Sequence, residues 1–288
     1  MAAPPPEYLV ALVTPFTQTG ILDLKAHTFN MRALADRGIE GFVIGGSNGE
    51  GPYLEPGERE QLVKAGRRRK AHFMAGIAAE TTRAALAQLG EVTDAGADSV
   101  LVLTPTTLAR DREDAIVGFY REIADRSRIP VFLYSVPLVT GYSIPVDLVA
   151  RLAAHRRIVG IKDSSGNVVR IQSIIDATPG AFLVYSGSSR AMTAAMMVGC
   201  HGAITGSGNY LPELVLDVMK AASSGDVTRS RRLQKKLSAI SGEIEAYGVP
   251  GVKAAARAAG LRAGFPRAPL TRLSHGTETS IAKTVQSA

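Results

Sequence analysis

Eight short β-rich segments alternate with longer amphipathic stretches along most of the chain. Apolar and β-branched residues dominate the segments, as is typical of strands buried in a parallel sheet; they read YLVALVTPF, GFVIGG, HFMAGI, SVLVLTP, PVFLYSVP, IVGIKD, FLVYSG and GAITG. Between them, apolar residues recur at helical spacing, as in DLKAHTFNMRALADRG. This repeated strand-then-helix order predicts an α/β fold, a (β/α)8 barrel.

A doubly wound sheet is the main rival architecture for such a pattern. That fold often carries a glycine-rich phosphate-binding loop after its first strand. The sequence has no G-x-G-x-x-G at that place and no G-x-x-x-x-G-K-[ST] anywhere. The barrel is therefore the preferred interpretation.

The strand pattern stops near Gly225, and the remaining sequence is helical. It contains VTRSRRLQKKLSAISGEIEAYG and VPGVKAAARAAG, followed by a polar tail. We predict a barrel at residues 1–224 that carries the active site, and a C-terminal helical region at residues 225–288. No low-complexity linker separates the two parts, so we expect the helical region to pack on the barrel.

Composition bears on location and on membrane binding. No apolar run approaches the length of a membrane span, and the N-terminus lacks a basic segment followed by an apolar stretch. Cys200 is the only cysteine, so the chain cannot form an internal disulfide, which suits a reducing compartment. We expect Cys200 to be a small buried apolar side chain. We predict a cytoplasmic protein with no role at a membrane.

The net charge of +7 raises the question of a nucleic-acid partner. Two basic clusters stand out, GRRRK at residues 66–70, expected to close a helix, and TRSRRLQKK at residues 228–236, expected to lie on another. No tryptophan is present and no aromatic residues interleave with either cluster. We therefore interpret both as solvated helix faces and predict no nucleic-acid partner. An anionic substrate would also favour a positive molecule.

The segment RIVGIKDSSGN places a lysine at the end of a buried strand, where an ammonium group is costly. Lys162 directly follows three apolar positions. One interpretation is that Lys162 pairs with Asp163 or with another acid. The other is functional, because desolvation favours the neutral amine, which is the nucleophile of Schiff-base chemistry on a ketone. Working residues of a barrel lie where its strands end, so this position favours the functional interpretation.

Two further strand ends carry polar groups at the same edge of the predicted barrel. Tyr134 ends the fifth strand, beside Lys162, where its hydroxyl could transfer protons during imine chemistry. The second strand ends in GGSNGEG, whose backbone amides, with Ser47 and Asn48, could hold a carboxylate or, less specifically, a phosphate. The histidines lack metal-ligand spacing and no acidic cluster is evident, so we predict no metal.

Three motifs, in this order, resemble one known family. GSNGE, YSVP followed by TG, and GIKDSSG fall at the ends of strands two, five and six. They are similar to motifs of the dihydrodipicolinate synthase / N-acetylneuraminate lyase family, class I aldolases that handle pyruvate on a (β/α)8 barrel. The resemblance runs from VALVTPF to RAPLTRLS. It implies a homotetramer and no cofactor.

The resemblance also implies roles for individual residues. Lys162 matches the Schiff-base lysine, Tyr134 the proton-transferring tyrosine, and Ser47 the hydroxyl that relays its proton. Asn48 matches the position that binds the pyruvate carboxylate. We extend the candidate substrate-binding set to neighbours on the same strand ends, namely Gly46, Ser164, Gly187, Val139, Thr107 and Ile204, the last of which would place a backbone carbonyl near the tyrosine.

Within the family, GSNGE, YSVP and KDSSG are closer to the 4-hydroxy-2-oxoglutarate aldolase branch than to the lysine-biosynthesis enzymes. Those enzymes carry an arginine two residues after the proline of their Y-N-V-P motif, where this chain has Val139. The family also usually has a tyrosine after strand four that completes the proton relay across a subunit contact. Here Thr106 and Thr107 follow that strand, and water or Thr107 is the expected substitute.

We therefore predict a class I aldolase that cleaves or forms a 2-oxo acid, with pyruvate as one partner and an aldehyde as the other. The expected substrate is 4-hydroxy-2-oxoglutarate or a 2-keto-3-deoxy acid. The first alternative is 4-hydroxy-tetrahydrodipicolinate synthase, which joins pyruvate to aspartate semialdehyde. The second is a family member that binds a 2-oxo acid without turning it over.

Overall fold

The computed structural model describes residues 4–66 and 71–288, in which eight parallel strands close into a barrel. Each strand pairs with the next along the chain, and the last pairs with the first. All eight predicted segments contain a strand; the strands are β1 (Tyr8–Ala11), β2 (Gly41–Ile44), β3 (His72–Ile77), β4 (Ser99–Leu103), β5 (Val131–Ser135), β6 (Ile158–Asp163), β7 (Leu183–Ser186) and β8 (Gly202–Thr205). The predicted (β/α)8 barrel is confirmed.

Helices follow the strands and surround the barrel. Within the described ranges they are α1 (Leu24–Asp36), α2 (Glu58–Gly66), α3 (Thr82–Asp94), α4 (Glu113–Arg126), α5 (Pro137–Thr140), α6 (Val146–Ala153), α7 (Val168–Ala177), α8 (Met192–Met197), α9 (Pro212–Ser223), α10 (Val227–Glu245), α11 (Gly248–Ala258) and α12 (His275–Gln286). Most of GRRRK, predicted to close a helix, lies at residues 67–70, outside the described residues. No helix in the described ranges has both the length and the apolar composition that a membrane span requires.

Side-chain caps fix where several of these helices begin. Each capping side chain accepts a hydrogen bond from the backbone amide three residues later, which satisfies a donor that the first helical turn leaves free. Such a cap typically contributes about 1 kcal/mol. The caps are Asp23, Thr81, Asn167, Asp226 and Ser274.

The strands separate two apolar cores. Successive side chains of a strand point to opposite faces, so Leu9 lies inside the barrel and Val10 packs outward against the helices. Phe132 and Tyr185 fill part of the barrel interior, with ring centroids 6.0 Å apart. Cys200 is buried in the outer core, as expected. A filled interior leaves the strand ends as the place where a ligand can enter.

The helical region that begins at the predicted boundary, residue 225, contacts loops that follow the strands. Ser189, after β7, donates a hydrogen bond of 2.6 Å to Glu245 at the end of α10. Lys253 of α11 forms a buried ion pair with Glu50, in the loop after β2. These contacts support the expectation that the helical region packs on the barrel, while the domain boundary itself stays a prediction.

Candidate active site

A cavity of about 800 Å³ opens where the strands end. Loops that follow β2, β5, β6, β7 and β8 line it, together with residues of α10 and α11. Ser47, Asn48, Tyr134 and Lys162 all contribute to its wall. The structure therefore brings the principal residues predicted from the sequence into one cavity.

Lys162 lies at the wall of this cavity and contacts Tyr134. Strand register places Lys162 directly opposite Tyr134, and both side chains are about 4% exposed. The Lys162 Nζ donates a hydrogen bond of 3.4 Å to the Tyr134 hydroxyl and lies 4.4 Å from the centroid of the tyrosine ring. An amine and a hydroxyl are thus held together at the wall of a cavity that is open to a ligand.

Asp163 is not the partner of Lys162, so that alternative is wrong. Asp163 follows Lys162 on β6 and points to the opposite face of the strand. Its carboxylate accepts a hydrogen bond of 2.9 Å from Arg170 Nε and another of 3.0 Å from the Ser165 amide. Among the described residues, Lys162 has no acidic group within ion-pair distance. Its amine is therefore left to the cavity and to Tyr134.

The loop after β2 brings Ser47 to Tyr134. Ser47 Oγ lies 3.1 Å from the Tyr134 hydroxyl, and either oxygen can donate. The loop is tightly folded, since a Cβ at Gly51 would lie 2.0 Å from the carbonyl oxygen of Gly45. The glycines of GGSNGEG therefore allow backbone to pack on backbone, which fixes the position of Ser47. The result is a continuous contact from the Lys162 amine through Tyr134 to Ser47.

Two glycines at the cavity wall make room for polar side chains. A Cβ at Gly206 would lie 2.6 Å from Asn48 Nδ2. A Cβ at Gly187 would lie 1.9 Å from Ser164 Oγ and 3.0 Å from Lys162 Cε. Ser164 Oγ is buried and has no hydrogen-bond partner among the described residues. A larger residue at either position would displace groups that face the cavity.

Of the other predicted binding residues, some line the cavity and others do not. Ile204 and Val139 line the cavity, the former fully buried and the latter 63% exposed on α5. Gly46 is buried beside Ser47 and borders a smaller void that Tyr134 also borders. Thr107 is exposed and does not line the cavity, and its backbone amide donates a hydrogen bond of 2.9 Å to Glu80. Its part in a proton path stays a prediction.

Sequence reasoning missed an acidic residue in the cavity wall, Glu245. Its Oε1 accepts hydrogen bonds of 2.6 Å from Ser189 Oγ and 3.3 Å from the Tyr210 hydroxyl. Burial raises the pKa of Glu245, and the charges of Arg190 and Lys162 partly oppose that rise. The end of α10 gave no sequence signal for the cavity, because only folding brings residues 56 positions apart together.

A second buried lysine was also missed. Lys253 is 0% exposed, pairs with Glu50 and donates a hydrogen bond of 2.6 Å to the carbonyl of Phe265. Burial lowers the pKa of Lys253 to about 8, although the Glu50 charge opposes the change. Glu50 also accepts from the Arg267 amide at 2.7 Å. This lysine lies outside the cavity wall and ties the active-site loop to α11.

The described residues contain no group of three His, Cys, Asp or Glu side chains arranged as metal ligands. The polar material of the cavity consists of hydroxyls, an amide, one acid, one guanidinium and one amine.

Comparison with known proteins agrees with this geometry. The model of the dihydrodipicolinate synthetase family matches residues 5–288. The chain belongs to this family. Its members are carbon–carbon lyases, so the protein is a pyruvate-dependent aldolase. A named relative, 4-hydroxy-tetrahydrodipicolinate synthase 1 of Streptomyces coelicolor, is 36% identical over 275 residues, which cover 93% of this chain and 89% of that protein.

Solved structures of the family superpose along nearly the whole chain. A dihydrodipicolinate synthase from Bacillus anthracis is 27% identical with a TM-score of 0.92, and the match covers 98% of both chains. A prophage protein of the dihydrodipicolinic acid synthase family from E. coli K12, solved in complex with pyruvate, is 25% identical with the same TM-score of 0.92 and the same coverage of 98%. The fold and the family thus rest on sequence and on structure.

Proposed function

We propose that Lys162 forms the imine of a class I aldolase whose substrate is 4-hydroxy-2-oxoglutarate or a 2-keto-3-deoxy acid. The observation that carries this proposal is the Lys162 amine itself, buried at the wall of the cavity, without an acidic partner among the described residues and 3.4 Å from the Tyr134 hydroxyl. An unpaired amine next to a proton-transferring hydroxyl is the arrangement that imine formation on a ketone needs.

In the cleavage direction, Lys162 Nζ attacks C2 of the 2-oxo acid, and loss of water leaves an iminium. Tyr134 then removes the proton of the hydroxyl on C4, and Ser47 relays protons to and from Tyr134. The C3–C4 bond breaks, its electron pair moves into the iminium to give an enamine, and the C4 fragment leaves as an aldehyde. Protonation at C3 followed by addition of water releases pyruvate and restores the amine.

The neighbouring groups support a place for the 2-oxo carboxylate. Ser47 and Asn48 share one loop, and Gly206 leaves the space that the Asn48 amide occupies. Ser164 Oγ, which has no partner among the described residues, is the closest group to the space above Gly187. We assign the carboxylate to Ser47 and Asn48, with Ser164 as a further hydrogen-bond donor to the substrate.

A second candidate is 4-hydroxy-tetrahydrodipicolinate synthase, with aspartate semialdehyde as the aldehyde. The names of the relatives favour it, among them the Streptomyces coelicolor protein and an enzyme of Nitrosomonas europaea that is 33% identical over 92% of both chains. Val139 argues against it, because an apolar side chain stands where the lysine-biosynthesis enzymes place an arginine. The two candidates share the imine and differ in the acceptor.

Steady-state kinetics with two acceptors tests both candidates. Pyruvate is condensed with glyoxylate or with aspartate semialdehyde, and kcat/KM is compared between them. A larger value for glyoxylate supports the 4-hydroxy-2-oxoglutarate assignment, whereas a larger value for aspartate semialdehyde supports the synthase. Lys162→Ala should abolish turnover of both while the circular dichroism spectrum stays that of the wild type. Turnover that persists in this variant would refute the mechanism.

The homotetramer and the cytoplasmic location remain proposals. Leu108, in the loop after β4, and Leu138, on α5, are 91% and 95% exposed. Single exposed apolar side chains are ordinary at a protein surface, so the tetramer rests on the family resemblance. Light scattering of the purified protein tests the tetramer, and a monomer at micromolar concentration would refute it.

A further inference from the structure

Three charged side chains of the described residues line the cavity, and one of them has no hydrogen-bond or ion-pair partner among those residues. Lys162 contacts Tyr134, and Glu245 accepts hydrogen bonds from Ser189 and Tyr210. The third is Arg190, in the loop between β7 and α8. Among the described residues its guanidinium has neither a hydrogen bond nor an acidic group within 4 Å. The cavity wall thus presents one free planar cation.

The backbone around Arg190 is held firmly, although its head group is free. The carbonyl of Ser189 accepts a hydrogen bond of 2.9 Å from Gln234 Nε2, and the carbonyl of Arg190 accepts one of 3.5 Å from Ser238 Oγ. The side-chain stem runs beside α10, where a Cβ at Gly242 would lie 3.6 Å from Arg190 Cδ. The backbone of Arg190 is therefore held by α10, its stem passes beside that helix, and the guanidinium of this exposed side chain remains available.

Among the described residues, the part of the cavity wall that α5 forms has no such cation. Val139, with Leu138 and Pro137 beside it, contributes apolar surface from α5. Glu245, the acid of the wall, uses Oε1 for Ser189 and Tyr210 and does not reach Arg190 within ion-pair distance. A guanidinium binds a carboxylate through two parallel hydrogen bonds, which a free and well-positioned arginine can form at little cost in ordering.

We propose that Arg190 binds the carboxylate of the aldehyde partner, so that the enzyme selects an aldehyde that carries a carboxylate. The inference rests on the proposed function, because it supposes a 2-oxo acid bound as the imine of Lys162. It specifies the substrate class further: an aldol with a second carboxylate at its far end is preferred over one that ends in an uncharged sugar chain. Glyoxylate and aspartate semialdehyde both satisfy this chemistry.

Binding of two matched 2-oxo acids tests the proposal without turnover. 2-Oxoglutarate and 2-oxopentanoate have the same chain length, lack the 4-hydroxyl group and differ in the terminal carboxylate. The protein is incubated with each acid over a range of concentrations, the imine is reduced with borohydride, and the adduct on Lys162 is quantified by mass spectrometry. The half-saturating concentration reports the affinity of the cavity for each acid.

Arg190→Gln should raise the half-saturating concentration of 2-oxoglutarate by about 10- to 100-fold, which is the usual loss when a hydrogen bond to a charged group is removed. The value for 2-oxopentanoate should stay unchanged, and Arg190→Lys should restore part of the loss. Arg231→Gln, which removes one positive charge from an exposed site on α10 outside the cavity, is the matched control and should change neither value.

Two results would overturn the inference: an equal change for both acids in Arg190→Gln, or no change for either. Failure of the proposed function looks different, because the wild type would then form no adduct on Lys162 with pyruvate or with either acid. Kinetics of Arg190→Gln with glyoxylate and with aspartate semialdehyde then separate the two sources of the carboxylate, since the natural acceptor should lose the larger part of its kcat/KM.

Discussion

The contact from Lys162 through Tyr134 to Ser47 leads to a double-mutant prediction. If Ser47 acts through Tyr134, its removal should matter only while the tyrosine hydroxyl is present. Tyr134→Phe removes a proton-transferring group and should slow the reaction by about 10²- to 10⁴-fold. Ser47→Ala removes one hydrogen bond of 3.1 Å between neutral hydroxyls. Such a bond contributes about 1 kcal/mol, so this variant should be slower by about tenfold at most.

The assay needs no knowledge of the aldehyde. An enzyme that forms an imine and an enamine exchanges the methyl protons of pyruvate with solvent, and proton NMR in D2O follows that exchange directly. At saturating pyruvate, where the part of Ser47 in carboxylate binding no longer limits the rate, Ser47→Ala should slow the exchange in the wild-type background and leave it unchanged in the Tyr134→Phe background. The coupling energy would then equal the whole effect of Ser47→Ala.

Tyr185→Phe is the matched control. Tyr185 pairs with Lys162 from the other neighbouring strand, but its hydroxyl donates a hydrogen bond of 3.1 Å to the carbonyl of Pro6, before β1. Its loss should leave exchange close to the wild-type rate. The reasoning would be refuted if Ser47→Ala slowed exchange equally in both backgrounds, or if Tyr134→Phe exchanged as fast as Tyr185→Phe.

Three further predictions concern the surroundings of the site and the stability of the barrel. Gly206→Ala places a Cβ 2.6 Å from Asn48 Nδ2, at a backbone φ of −75° that alanine accepts. Because the Asn48 amide is displaced, KM for pyruvate should rise by about tenfold with little change in thermal stability. An unchanged KM would contradict the role of Asn48. Glu50→Gln leaves Lys253 buried without its counter-charge. The free energy of unfolding, measured by urea titration, should therefore fall by about 3–5 kcal/mol. A loss below about 1 kcal/mol would contradict the importance of this pair. Burial lowers the pKa of His27 from 6.5 to about 4, so in that window the unfolded chain binds a proton that the folded chain does not. Stability should therefore fall by about 3 kcal/mol as the pH drops from above 6.5 to 4, and His27→Gln should flatten this dependence; an equal fall in the variant would show that other groups cause it.

Much of the fold follows from the sequence because barrel strands are buried on both faces. They appear as short, nearly continuous apolar runs, and the glycine-rich and hydroxyl-rich segments between them mark the strand ends. The position of Lys162 follows from the same pattern. Its separation from Asp163 follows from the alternation of side chains along a strand, since Arg170 and Ser165 occupy the Asp163 carboxylate on the other face.

The remaining features depend on contacts between distant parts of the chain. Glu245 reaches the cavity only because α10 packs against the loop after β7, and amphipathic periodicity does not reveal which helix end meets which loop. The ion pair between Glu50 and Lys253 likewise joins the loop after β2 to α11. Thr107 illustrates the opposite case: its place in the chain suggested the cavity, yet its backbone amide binds Glu80 and its side chain is exposed.

Borohydride reduction in the presence of pyruvate tests the central claim most directly. The account predicts one adduct per chain, with the mass of a reduced pyruvate imine, on the peptide that contains Lys162. Lys253, the other buried lysine among the described residues, should stay unmodified because it lies outside the cavity and pairs with Glu50. An adduct on Lys253, or no adduct on folded protein at saturating pyruvate, would contradict the assignment of Lys162 as the Schiff-base residue.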